Sequence, residues 1–270
     1  MIEEIDVTHR NSPGGAEVGA MYDQLQSFSE RLYAGKNIHF GYWTDSQDRS
    51  SALEAQDRLT DMMVERVPLT SAGRFLDVGC GVGGPAVRYV RATGAYLAGV
   101  NVSAGQIAAC EELARSEQLQ ERMEFHLADA TEKLPFDDAS FDAAWALESF
   151  PHMDRAAALR EISRVLRPGS RLALTDILRP RESAAGLDDV MKEVRRQWMI
   201  TLVSQGELLG LLDDAGFDLV ELLDIQANTE RNGELVAQQL RETYGEEAME
   251  DLPGAADVPG VYVMVTAVKR

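Results

Sequence analysis

The segment Phe75-Leu76-Asp77-Val78-Gly79-Cys80-Gly81-Val82-Gly83-Gly84 constrains this chain more than any other. An apolar run reaches an acidic residue, passes into alternating glycines and continues with helical spacing, which is the signature of a strand, a tight turn and a helix. Glycines at 79, 81 and 83 permit positive φ and remove the side chains that would keep a ligand away from the main chain. A bound molecule can then lie directly on the backbone at the strand tip.

Two ligand classes compete for such a turn. Gly79, Gly81 and Gly84 satisfy the G-x-G-x-x-G spacing of a dinucleotide site, where the helix N-terminus holds a pyrophosphate. Asp77 stands two residues before the first glycine, where a carboxylate would meet a cationic amino acid group well and a pyrophosphate badly. The next strand, Tyr96-Leu97-Ala98-Gly99-Val100, ends in Asn101 rather than the acidic residue of the dinucleotide fingerprint. A third strand, Met123 to Ala128, delivers Asp129-Ala130 at its own tip. The three details together favour S-adenosylmethionine over a nicotinamide cofactor.

The rest of the pattern alternates. Strands are expected at 74–78, 96–101, 123–128, 141–147 and 170–177, with helices at 84–92, 103–117 and 155–166 between them. Alternation of this kind implies a doubly wound, mostly parallel sheet with helices on both faces and all strand tips along one edge. Leu166-Arg167-Pro168-Gly169 reads as a turn between helix and strand. Residues 1–19 carry no apolar periodicity and read as a loose tail, while Met21, Leu25, Phe28 and Leu32 repeat at helical spacing. A second helix is expected over 53–67, so residues 20–72 read as an N-terminal helical lid and 73–270 as the α/β core. Within that core, Leu187, Val190, Met191, Val194 and Trp198 lie at helical spacing, marking a substrate-facing insertion around 183–203. A helix at 205–215, a strand at 218–226, a helix near 230–243 and a last strand at 261–268 complete the chain.

These motifs resemble the class I S-adenosylmethionine-dependent methyltransferases, in particular the small-molecule group of sterol, sarcosine and natural-product enzymes. The resemblance rests on Leu76 to Gly83, on Asp129-Ala130 followed by Leu134-Pro135-Phe136-Asp137-Asp138-Ala139-Ser140-Phe141-Asp142, and on Leu166-Arg167-Pro168-Gly169. Asn37-Ile38-His39-Phe40-Gly41-Tyr42-Trp43 and Ala146-Leu147-Glu148-Ser149-Phe150-Pro151-His152-Met153 bring it nearer to antibiotic-tailoring enzymes of the rebeccamycin sugar O-methyltransferase type. It implies a seven-stranded sheet whose last strand is antiparallel. It implies cofactor contacts at Asp77, Gly79, Gly81, Gly83, Asn101, Val102, Gln106, Asp129, Ala130 and Leu147, with Asp129 on the adenine amino group. Asn101 departs from the acidic residue that many of these enzymes place on the ribose, and Pro151 stands where the rebeccamycin type has a second histidine.

Methyl transfer also needs a group that takes the acceptor's proton. His152 follows the fourth strand by a few residues, so it projects from the same edge as the glycine turn; a histidine that titrates near neutrality suits the task, and the resemblance assigns the base to this position. A capping histidine is the plainer alternative. Tyr22 on the lid, His39 and Trp43 in the aromatic segment and Trp198 in the insertion are candidates for the substrate side, with ordinary packing open for each. His9 and His126 read as structural.

Composition narrows the partners. The chain has 26 basic and 45 acidic residues, a formal charge of −19 that repels nucleic acid phosphates. No apolar run approaches the ~20 residues that span a bilayer, and the acidic start does not read as a signal peptide, so a cytoplasmic protein is expected. Cys80 and Cys110 form no C-x-x-C or Cys/His grouping, so free thiols and no metal are expected. The expected partners are a small-molecule acceptor and a second copy of the chain. The expected reaction is O-methylation of a natural product hydroxyl, with N- or C-methylation, or cyclisation by a cofactor-binding enzyme that transfers no methyl group, as alternatives.

Overall fold

The computed structural model describes residues 13–32, 37–180, 199–244 and 260–270. Seven strands form one sheet in the order β3-β2-β1-β4-β5-β7-β6. They are β1 (Arg74–Val78), β2 (Tyr96–Asn101), β3 (Met123–Leu127), β4 (Phe141–Ala146), β5 (Leu166–Leu178), β6 (Phe217–Asp224) and β7 (Val261–Lys269). β1 to β5 pair in parallel, and β7 runs antiparallel between β5 and β6. This is the seven-stranded sheet with an antiparallel last strand that the resemblance implies. The helices are α1 (Gly15–Leu32), α2 (Ala52–Arg66), α3 (Gly84–Thr93), α4 (Ala104–Ser116), α5 (Arg155–Val165), α6 (Gln205–Asp214), α7 (Gln226–Thr229) and α8 (Arg231–Tyr244).

Alternation along β1 divides the core in two. Leu76 and Val78 join a cluster with Phe141, Leu159, Ile162 and Leu212 on one face of the sheet. Phe75 joins Leu59, Met63, Tyr89 and Trp145 on the other. Phe75 stacks on Tyr89 at 3.7 Å between centroids and meets the edge of Trp145 at 5.0 Å. Full burial of such side chains stabilises the fold by roughly 1.5–3 kcal/mol each. α2 packs on this face through Leu59 and Met63 and begins at a capping box in which Ser51 and Glu54 satisfy each other's backbone N–H groups.

Two boundaries differ from the sequence expectation. The first helix begins at Gly15 rather than near Ala20, so residues 15–19, expected in a loose tail, are helical. Its Gly15 and Gly19 conceal the start, because neither carries an apolar side chain to set a period. Leu166 to Gly169 lies within β5 instead of forming a turn. Leu166 pairs with Phe141 and Arg171 with Ala143, so the extra residues bulge out of the ladder with Gly169 at φ +82°. The insertion expected around 183–203 falls mostly outside the described residues. Because β1 to β4 are parallel, the segments after them, 79–83, 101–103, 128–131 and 147–153, share one edge of the sheet.

Candidate active site

The glycine turn leaves β1 with Gly79, Gly81 and Gly83 at φ +76°, +54° and +89°. Only one of them leaves free space. A Cβ on Gly79 would overlap Ser149, whose hydroxyl donates to the Val78 carbonyl at 2.5 Å. A Cβ on Gly83 would stand 3.1 Å from Cys110 Sγ, where α4 packs on the start of α3. At Gly81 the nearest atom to such a Cβ is Ile38 Cδ1 at 4.0 Å. Gly79 and Gly81 line a cleft whose empty space, its open mouth included, is about 700 Å³.

One end of the cleft is built on the tips of β2 and β3, from Asn101, Val102, Gln106, Asp129, Ala130 and Thr131. Its polar groups are largely held by their neighbours. Asn101 Nδ2 donates to Gln106 Oε1 at 2.7 Å, and Asn101 Oδ1 accepts from the Ser103 N–H at 3.1 Å. Asp129 Oδ1 accepts from the Thr131 N–H at 2.8 Å and hydroxyl at 2.7 Å, and no described residue donates to its Oδ2. α1 closes over this end through Pro13, Gly15 and Val18 and carries Tyr22 toward the other. A Cβ on Gly15 would overlap the Asp129 carboxylate and one on Gly19 the Val102 carbonyl, so the two glycines set how closely the helix docks. Asp23 on the same helix accepts from the Ser103 hydroxyl and, at 3.2 Å, from the Gly105 N–H at the start of α4. A carboxylate is favoured there by the unpaired N–H groups of a helix N-terminus.

The other end follows β4, through Leu147, Glu148, Ser149, His152 and Met153. His152 is held from both sides: Nδ1 lies 3.1 Å from the Met199 carbonyl, and the Tyr22 hydroxyl lies 2.9 Å from Nε2. A carbonyl only accepts, so Nδ1 carries the hydrogen and Nε2 presents a lone pair to the Tyr22 O–H. Burial, with a smaller contribution from the Arg155 charge, lowers the His152 pKa to about 4, against a bond to Met199 that raises it. Arg155 forms a buried bidentate pair with Asp176, at 2.7 Å on both arms, and also donates to the Thr201 hydroxyl and carbonyl. Thr201 N–H in turn donates to the Pro151 carbonyl at 2.9 Å, which ties the 3₁₀ turn Phe150–His152 to the segment bearing Met199.

Glu148 adopts φ +55°. Its Oε1 accepts from the Phe40 N–H at 2.6 Å and from the Tyr262 hydroxyl. Burial pushes its pKa up to about 7, against these two bonds, which lower it. The same carboxylate, after burial, holds the Tyr22 phenol above its ordinary range.

Four sequence candidates lie outside the cleft walls. Asp77 is 2% exposed beneath the turn; burial pushes its pKa to about 7, weakly offset by the Trp145 indole, and its Oδ2 has no hydrogen-bond partner. Gly83 serves the packing of α3 on α4. His39 is buried with Nδ1 donating to the Phe40 carbonyl at 2.8 Å and Nε2 near the Thr60 hydroxyl, and burial lowers its pKa to about 4. Trp43 donates its indole N–H to the Ser50 carbonyl at 3.0 Å and packs under Arg231. The expectation that these two aromatic-segment residues touch substrate is therefore corrected: they anchor the 37–43 segment. Trp198 lies outside the described residues.

Gly79, Gly81, Asn101, Val102, Gln106, Asp129, Ala130, Leu147, Tyr22 and His152 do line the cleft. Glu148, Ser149, Thr131 and Ile38 line it without having been singled out. For Glu148 a signal existed, since it follows the β4 tip more closely than His152 does. Among the described residues, no arginine or lysine lines the cleft and no group of three His, Cys, Asp or Glu side chains is placed to hold a metal ion.

Residues 76–174 match the model of a methyltransferase domain family. The chain is 40% identical over 268 residues to the methyltransferase GfsG of Streptomyces halstedii, covering 94% of each. It is 37% identical to the 27-O-demethylrifamycin SV methyltransferase of Amycolatopsis mediterranei, covering 90% of this chain and 88% of that one. This chain is a class I S-adenosylmethionine-dependent methyltransferase. The crystal structure of the [4+2]-cyclase SpnF superposes with a TM-score of 0.82 at 32% identity, over 97% of this chain and 98% of the other. A geranyl diphosphate methyltransferase solved with S-adenosylmethionine shares the fold at a TM-score of 0.73 and 21% identity, over 86% and 98%. S-adenosylmethionine is the methyltransferase's cofactor, and the cleft fits it: Gly81 leaves the space a Cβ would fill, and acceptor groups stand at both ends. Among the described residues no helix is long and apolar enough to cross a membrane.

Proposed function

We propose that the methyltransferase acts on a hydroxyl of a small natural product and that Tyr22 and His152 together receive the hydroxyl's proton. One observation carries this reading: a lone pair on His152 Nε2 is held 2.9 Å from the Tyr22 hydroxyl at the cleft wall. When bound, the cofactor supplies an electrophilic methyl group on a sulfonium. The acceptor hydroxyl donates to Tyr22 Oη; as its oxygen gains the methyl, its proton passes to Oη while the Tyr22 proton passes to Nε2. The tyrosine ends neutral and the imidazole ends as the cation, its Nδ1–H still on the Met199 carbonyl. An oxygen gaining a methyl becomes strongly acidic, so a histidine of low pKa suffices, and that low pKa keeps it free of protons beforehand.

Asp129 Oδ2 is free to accept from the adenine amino group, and Val102, Ala130 and Leu147 form apolar walls. Asn101 Nδ2 is taken by Gln106 Oε1 and, at 3.4 Å, the Gly81 carbonyl, so it is Gln106 that presents its amide hydrogens to the ribose edge. Tyr22, on the helix that closes the cleft, faces the acceptor. A hydroxyl acceptor is supported by relatives named O-methyltransferases, among them resE of Aspergillus sclerotiorum at 38% identity over 80% of this chain and 81% of that one.

The test is conversion of S-adenosylmethionine to S-adenosylhomocysteine with polyketide and glycoside acceptors, 27-O-demethylrifamycin SV among them, followed by location of the new methyl group. A methyl on nitrogen or carbon would sink the O-methyl reading. A second reading, cyclisation, is favoured by the likeness to SpnF and predicts a product isomeric with its precursor and no S-adenosylhomocysteine.

A further inference from the structure

The cleft places a carboxylate at each end. Asp129 follows β3 and Glu148 follows β4, with β2 and β1 between them. Three strand spacings of about 4.8 Å separate the two tips by roughly 14 Å. The bound cofactor is itself asymmetric: a neutral adenine at one end, and toward the other a sulfonium and a zwitterionic amino acid whose ammonium and carboxylate leave a net positive charge. Tyr22 and His152 lie at the Glu148 end, so the methyl donor belongs there.

That end has a carboxyl group without a positive partner. No arginine or lysine lines the cleft among the described residues, and His152 is neutral above a pKa of about 4. Glu148 Oε1 takes both of the donors it meets, Phe40 N–H and Tyr262 O–H, and no described residue donates to Oε2. The carboxylate is held there at the cost of a left-handed backbone, φ +55°, of the kind that concentrates at functional sites. Asp77, the carboxylate that the glycine motif offers for a cation, is sealed beneath the turn at 2% exposure.

We propose that the Glu148 carboxylate is the counter-charge for the cationic end of the bound cofactor. The assignment rests on the cofactor reading above and adds a role for one side chain. It also supplies a reason for the raised Glu148 pKa: an acid buried with no cation nearby holds its proton until a cationic ligand arrives.

Isothermal titration calorimetry with three ligands tests it: S-adenosylmethionine carries the sulfonium and the ammonium and carboxylate of its amino acid, S-adenosylhomocysteine the same amino acid without the sulfonium charge, and 5′-methylthioadenosine neither the sulfonium nor the amino acid. Glu148→Gln keeps an oxygen for Phe40 and Tyr262 and removes only the charge. It should weaken S-adenosylmethionine and S-adenosylhomocysteine by about tenfold or more, the scale of a lost charge-assisted bond, and leave 5′-methylthioadenosine within about twofold. Equal weakening of all three would make Glu148 a wall residue and overturn the proposal, as would unchanged affinity for the two ligands that carry the amino acid. Should Glu148→Gln not fold, Glu148→Asp, which keeps the charge but draws it back by one methylene, should produce a smaller loss in the same ligand order; a uniform loss or none overturns the proposal. If the wild-type protein binds none of the three, the cofactor reading itself falls.

Discussion

The two ends of the cleft are built in opposite ways. At the β2 and β3 tips, polar side chains are tied to near neighbours: Asn101 to Gln106 and Ser103, Asp129 to Thr131. At the β4 tip the reactive groups are joined across the chain, Tyr22 to His152 over 130 positions and Tyr262 to Glu148 over 114. The first end is a preformed surface whose groups are largely paired, with Asp129 Oδ2 left open. The second holds buried ionisable groups displaced from their ordinary pKa values, the condition expected where protons or charges are handled.

Substitutions that break this contrast can be ranked. Gly81→Val should have the largest effect, loss of detectable S-adenosylhomocysteine binding by calorimetry in a protein that still unfolds cooperatively, because its side chain meets the cleft and not the core. Gly83→Ala is the counterpart: its Cβ meets Cys110, so it should lower the unfolding temperature more than it weakens the ligand. If the two variants exchanged these outcomes, the turn would be misassigned.

His152→Ala should lower kcat by roughly 10²- to 10⁴-fold with little change in cofactor affinity. The pH profile sharpens the point. A histidine left on the surface would protonate near 6.5 and cut the rate below it. Burial and Arg155 lower this one to about 4, so its acid limb in kcat/KM should move down to about pH 4. A limb near 7 that disappears in Glu148→Gln belongs to the carboxylate, whereas one near 6.5 that disappears in His152→Ala contradicts the buried imidazole.

Arg155→Met should be the next largest, because it strands the buried Asp176 carboxylate. Unmaking one side of such a pair costs about 3–5 kcal/mol, readable as a lower midpoint in denaturant titration. The 3₁₀ turn bearing His152 should loosen with it. Tyr22→Phe should lower kcat by about tenfold, toward the small end of acid–base effects, and raise the His152 pKa by removing a donor from its neutral form. NMR titration of the imidazole would show the rise, and an unchanged pKa would dissociate the two residues. The smallest effect belongs to Trp43→Phe, which should leave S-adenosylhomocysteine affinity within about twofold, since Trp43 is bonded to Ser50 and not to the cleft.

Much of the first end was legible along the chain. A strand running into Gly79 and Gly81, a second ending in Asn101 and a third ending in Asp129 place cofactor candidates by spacing alone, and all four residues line the cleft. Asp77 lies outside the cleft walls because alternation along β1 turns its side chain to the Trp145 face, a direction that depends on which neighbours the strand finds. His39 and Trp43 had the composition of a pocket wall but fold against α2 and Arg231. For Glu148 the one signal in sequence was its closeness to the β4 tip. Its weight appears only when β7 brings Tyr262, and the 37–43 segment brings Phe40, against the same oxygen.

The sequence by itself determined the alternating sheet, the left-handed glycine turn and which strand tips bear polar groups, because these follow from periodicity and from side chains acting on their own backbone. Tertiary structure decided which glycine has room beside it, how closely α1 docks and what pKa His152 and Glu148 take. Those are properties of burial and of contacts between residues more than a hundred positions apart, and local spacing carries no record of either.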